Sequence, residues 1–106
     1  MQVAARIEAA ESHENRSAPR RRANQFAALR HKKAPPEMIQ VVDISAVGCG
    51  FHSRWPFTVG TRVWLNLPGL ETWPATIAWY EEGRGGLRFE TPLHPLVAAR
   101  YASDAG

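Results

Sequence analysis

Two short stretches of this 106-residue chain combine residue types that can recognise an anion and a heteroaromatic base. Arg16-Ser17-Ala18-Pro19-Arg20 sets two arginines four positions apart in a segment that Pro19 keeps from being a regular helix face. A guanidinium is a planar fork of donors that matches phosphate oxygens, or the O6 and N7 edge of guanine, in a bidentate way. Asp43-Ile44-Ser45-Ala46-Val47-Gly48 stands where the apolar run from Met38 to Ile44 enters a turn. An ionised Asp43 can only accept, which suits the ring N–H and amino donors on the other edge of guanine. The Ser45 hydroxyl can donate to a phosphate or order the turn, and Gly48 permits positive φ and close approach of backbone N–H groups to a ligand. Together the two stretches would recognise a guanine bearing a phosphate. Each also has a plainer reading: solvated charge for the arginines, an Asx or Ser turn for Asp43 and Ser45.

Charge along the chain favours an anionic partner. The formal net charge is +3, but seven basic residues and no acidic ones lie between Arg16 and Lys33, leaving six basic and ten acidic residues elsewhere. A +7 segment is thus attached to a −4 remainder, an asymmetry that points to nucleic acid, nucleotide, lipid or an acidic protein without choosing among them.

The elements that must position these residues follow from periodicity. Residues 1–14 are rich in Ala and Glu, with Val3, Ile7 and Ala10 at helical spacing, so a short N-terminal helix is expected there. Ser17 and Pro19 end it, and the arginines that follow read as a loop. From Ala23 onward short runs of β-formers alternate with turn residues: Ala23 to Lys33, Glu37 to Ile44, Gly50 to Ser53, Thr61 to Leu67, Trp73 to Tyr80 and Gly86 to Glu90. Val63, Leu65 and Leu67 share one face, as do Ala75, Ile77 and Trp79, and Leu87 with Phe89. One apolar and one wet face predict an antiparallel sheet, closed into a barrel to hide its edges. After Pro92, Leu93, Leu96, Val97 and Tyr101 fall at i, i+3, i+4 and i+8, which predicts an amphipathic C-terminal helix of about two and a half turns. The expected division is a helical extension over 1–14, one domain over 15–102 and a tail over 103–106.

The pair of motifs, RxxxR at Arg16 to Arg20 and DxSxxG at Asp43 to Gly48, resembles a PilZ domain. The resemblance extends through Gly50-Phe51, Gly60 before Arg62 to Leu67, the run Ala75 to Trp79, and Gly86-Leu87-Arg88-Phe89 ahead of the last helix. It covers roughly residues 15 to 102 and implies a mainly β fold, a six-stranded antiparallel barrel with a helix. It also implies binding of the bacterial second messenger cyclic di-GMP. Arg16 and Arg20 would reach phosphates and guanine edges, with Asp43, Ser45 and Gly48 around a guanine on the barrel surface. Arg21 and Arg22, beside the first motif, would add phosphate contacts. Trp79 stands in the strand where some relatives present an aromatic ring, although its alternation with Ile77 and Ala75 fits core packing equally well.

No cofactor, metal site or enzymatic activity is expected. His13, His31, His52 and His94 are scattered, Cys49 has no acid–base partner near it in sequence, and no nucleophile motif or paired carboxylates stand out. Trp55, Trp64 and Trp73 are assigned to packing or to a partner surface. No apolar run is long enough to span a membrane and the N-terminus lacks the pattern of a secretory signal, so a cytoplasmic receptor acting through an unidentified protein partner is the expectation. Two alternatives stand beside it: a PilZ-like protein-interaction module without nucleotide, and a small basic RNA- or DNA-binding barrel. The second is disfavoured because the basic charge sits in one segment and does not track a groove.

Overall fold

Alternation of β-branched and aliphatic residues with polar ones makes each strand of this protein one-sided, and a one-sided sheet of this size buries its apolar face by closing on itself. A computed structural model describes residues 20–32 and 34–102. The expected N-terminal helix, Arg16, Lys33 and the tail from residue 103 lie outside the described residues. The strands are β1 (Arg21–Arg30), β2 (Glu37–Ile44), β3 (Gly48–Ser53), β4 (Arg62–Asn66), β5 (Trp73–Glu81) and β6 (Arg84–Phe89), followed by the helix α1 (Pro95–Arg100). They form a closed barrel in the order β1-β2-β3-β6-β5-β4, each neighbour antiparallel. Two three-stranded meanders are thereby joined at the seams β3–β6 and β1–β4.

The interior is filled by the residues whose alternation predicts it. Val63, Leu65 and Leu67 on one strand run, Ala75 and Ile77 on another, and Leu87 with Phe89 on a third are all buried, together with Leu29, Ile39, Val41, Ile44 and Phe51. Phe51 needs Gly85 across from it, because a Cβ there would lie 2.5 Å from the ring carbon Cζ. The β5–β6 hairpin turns on Glu82 and Gly83, with φ of +50° and +84°, the mirror-image turn whose twist matches that of the flanking strands.

Three expectations are corrected. β1 begins at Arg21, so Arg21 and Arg22 belong to a strand; β2 remains available for pairing as far as Ile44, and the ladder runs on to Arg21↔Ile44 and Arg22↔Asp43. The C-terminal helix is only six residues long, because His94 caps it by accepting from the Leu96 N–H and Tyr101 ends it. Leu93, Ala98 and Tyr101 join the core and Val97 packs against it, while Leu96 is 75% exposed, so the docking face keeps three of the four spaced residues and takes Ala98 where Leu96 is expected. Tyr101 also donates its hydroxyl to the Pro68 carbonyl, tying the chain after the helix to the β4–β5 turn. The third correction, at Trp79, concerns the site and is taken up below.

Leu65 is fully buried at the β4 position facing Leu29 across the β1–β4 seam. Leu65→Ala is expected to lower stability by about 2–5 kcal/mol. Urea unfolding would read this as a lower midpoint at an unchanged m-value.

Candidate functional site

The DxSxxG stretch forms the end of β2, a tight turn and the start of β3. Ser45 is almost fully buried: its N–H donates to the Gly48 carbonyl at 2.8 Å, its Oγ accepts from the Val47 N–H at 3.2 Å, and its hydroxyl donates to the Gly48 carbonyl at 3.4 Å. Here the serine orders the turn. The carbonyls of Ala46 and Val47 accept from the N–H groups of Leu93 and Phe89, so the turn is anchored to the segment that leads into α1. Gly48 is needed for a reason other than the expected one. Its φ is not positive; it lies so close to β6 that a Cβ would stand 2.1 Å from the Leu87 carbonyl oxygen.

Asp43 points out of the barrel. One carboxylate oxygen accepts from the Gly50 N–H at 2.9 Å and lies 3.4 Å from Nη1 of Arg20. The other oxygen lies over Gly50 itself, where a Cβ would come within 2.6 Å of it. Arg20 is therefore brought to Asp43 as a pair, with Arg21 and Arg22 directly after it at the start of β1. Both members of the pair are about 30% exposed, within reach of a ligand at the surface.

Trp79 joins them from the other side. The register of β5 on β6 passes from Ile77↔Leu87 to Trp79↔Gly86, so Ala78 is an extra residue and the in–out phase of the strand reverses at it. Trp79 consequently leaves the core face that Ala75 and Ile77 occupy and lies against the outside of Gly86, where a Cβ would be 2.2 Å from its indole Nε1. Gly86 is paired with Gly50, and Gly50 with Asp43. One row across the outer wall thus reads Asp43, Gly50, Gly86, Trp79. The carboxylate leans inward over the first glycine and the indole over the second, on strands roughly 4.8 Å apart. The row presents an acceptor edge beside an aromatic face.

Gly50 and Gly86 shape this row, and neither belongs to the two motifs. The available signal is glycine inside a strand, which marks a place where something approaches the backbone closely. Arg88, two residues beyond Gly86 and opposite Gly48 in register, places a further guanidinium on the same wall.

The PilZ domain family model matches residues 14–99. The chain belongs to the PilZ domain family. PilZ domains are in general cyclic di-GMP receptors, ligand-binding and adaptor domains that are not typically enzymes. No curated protein matches the chain. The closed six-stranded barrel agrees with the PilZ fold. Among the described residues no three His, Cys, Asp or Glu side chains gather as a metal site would require, and no helix is long and apolar enough to cross a membrane. The one cysteine of this PilZ domain, Cys49, is buried in the core, and burial, aided by the Asp43 charge, pushes its thiol far above the ordinary range.

Two outcomes follow from this geometry. Gly86→Ala is expected to displace the indole at a cost of about 1–3 kcal/mol. Nitrogen–proton NMR would show the Trp79 indole N–H resonance moved and the other three indole resonances in place. Cys49 is expected to resist alkylation by iodoacetamide in the native protein and to react once urea unfolds the barrel, which mass spectrometry at increasing denaturant would follow.

Proposed function

We propose that this PilZ domain is a cytoplasmic receptor for cyclic di-GMP and works as a ligand-switched adaptor. The observation that carries the reading is the row on the outer wall, where the Asp43 carboxylate and the Trp79 indole lean toward each other over Gly50 and Gly86, with Arg20 at the carboxylate. Guanine fits such a row in two senses. Its N1–H and amino group are donors for Asp43, and its O6 and N7 accept from an arginine fork, so the two members of the Arg20–Asp43 pair can each exchange their mutual contact for an edge of the base. The indole offers a π face for stacking. Arg21, Arg22 and, from the preceding segment, Arg16 supply positive charge for the phosphates. Ser45 and Gly48 support the reading indirectly, by holding the turn that fixes Asp43.

The switch lies in that exchange. Arg20 and Asp43 pair at the entrance to β1, and a ligand that takes both moves Arg20 from the carboxylate. The surface offered to a protein partner changes with it.

Calorimetric titration with cyclic di-GMP is expected to saturate, with an affinity that falls as salt rises. Arg20→Ala and Asp43→Ala should each weaken binding about ten- to hundredfold, the worth of a charge-assisted hydrogen bond. Cyclic di-AMP, which turns an acceptor toward Asp43 and lacks the amino donor, should bind far more weakly still. Absence of saturable heat with the wild-type protein would overturn the proposal and leave the nucleotide-free interaction module.

A further inference from the structure

Next to the Asp43 row, on the same outer wall, two large apolar side chains stand in solvent. Phe26 is 63% and Met38 60% exposed, on neighbouring strands β1 and β2. They border a groove of about 340 Å³ whose other lining residues are Ile39, Gln40, His52, Ser53 and Arg54. That volume is at the lower end of the range for small-ligand sites, which begins at about 300 Å³. The register Phe26↔Gln40↔His52 makes the groove the next row of the wall. Gly50 and His52 are successive outward residues of β3, so the two rows are about 7 Å apart along the strand.

We infer that this groove receives the second guanine of the same cyclic di-GMP molecule whose first guanine lies on the Asp43 row; the inference rests on the function proposed above. Cyclic di-GMP carries two identical purines joined through two phosphates, so a receptor that holds one base at Asp43 must accommodate the other within the reach of the linking riboses. The adjoining row on β1–β3 lies within that reach. Its chemistry suits a base: the exposed ring of Phe26 supplies a stacking face and the Met38 thioether an adaptable apolar edge. Gln40 donates its amide nitrogen to Oδ1 of Asn24 at 3.0 Å, which fixes the amide and leaves its oxygen to accept from a guanine donor. The charge is complementary as well. No carboxylate lines the groove, while His52 and Arg54 face the dianionic ligand from below as Arg20 to Arg22 do from above.

Calorimetry on the full chain separates this inference from the reading it rests on. Phe26→Ala is expected to weaken cyclic di-GMP binding roughly five- to a hundredfold, the range for losing one base–aromatic stack. Phe26→Tyr should bind as the wild type does, at one ligand per chain. Phe26 is exposed, so thermal unfolding should be unchanged in either variant. Wild-type affinity in Phe26→Ala, with binding lost in Asp43→Ala, would overturn the inference and leave the first site standing. So would a fall from two bound ligands to one in Phe26→Ala, which would give the groove to a second molecule. Unchanged affinity together with a change in sedimentation would assign the groove to a protein contact and overturn it too. Failure of the wild-type protein to bind at all would overturn both readings.

Discussion

A six-stranded barrel has no room inside for anything but side chains, and this constraint decides where the chemistry of the protein can be. Leu29, Ile39, Val41, Ile44, Phe51, Val63, Leu65, Ile77 and Leu87 fill the interior to the exclusion of solvent. A ligand must therefore be held on the outer wall, where strands normally carry isolated polar residues and no concavity. A wall of L-residues projects a Cβ at every outward position. Here the wall is lowered at Gly50 and Gly86, and the side chains flanking them, Asp43 and Trp79, fold down into the space. The recess is made by what two positions lack.

The barrel is also irregular where the site is. Register shifts occur between Arg22 and Gln25 on β1, between Val41 and Asp43 on β2, and between Ile77 and Trp79 on β5. All three adjoin the row that runs from Arg22 through Asp43, Gly50 and Gly86 to Trp79. An extra residue in one strand reverses which way the following side chains point, and bulges gather beside functional sites for this reason. The extra residue on β2, Val42, lets Val41 stay inward while Asp43 and its pair Gly50 face out. On β5, Ala78 does the same for Ile77 and Trp79. Without these two insertions the strict two-residue period would carry the Asp43 and Trp79 side chains into the core with Val41 and Ile77.

That device explains what could be read from the sequence and what could not. The alternation Val63, Leu65, Leu67 is uninterrupted, and those residues lie where a period of two puts them. Ala75, Ile77 and Trp79 look the same on paper, but a bulge leaves no mark in a pattern of apolar residues, and Ala78 is as ordinary in a strand as in a bulge. Trp79 could thus be assigned to core or to ligand with equal reason until the pairing of β5 with β6 was known. The row itself was equally hidden. Asp43 and Gly50 are close in the chain, but Gly86 and Trp79 become their neighbours only through the β3–β6 seam, a contact between strands far apart in sequence. The motif at Asp43 to Gly48 was legible because its constraints are local: one strand end, one turn, one strand start. Even there the part played by Gly48 depends on the distant Leu87 carbonyl. Leu96 fits the apolar spacing yet stands in solvent, because this short segment docks through Leu93, Val97, Ala98 and Tyr101, and the first and last of these lie outside the helix itself.

The positive charge of the basic segment divides by the same logic of position. Arg20, Arg21 and Arg22 enter the barrel beside Asp43, at one end of β1. Arg30 stands at the other end of that strand, facing a different partner: its guanidinium lies 5.2 Å from the centre of the Trp64 ring, and that of Arg62 lies 5.1 Å from the same ring. Arg62 is in turn held by Glu90, with one of its contacts at 2.9 Å. Trp64 is thus engaged by guanidiniums from its own strand and from β1 across the β1–β4 seam, where a cation–π contact supports closure of the barrel. A single sequence run of like charge therefore serves two ends of one strand with two purposes. The surplus that suggests an anionic ligand is the part that reaches Asp43, and Arg30 belongs to the scaffold.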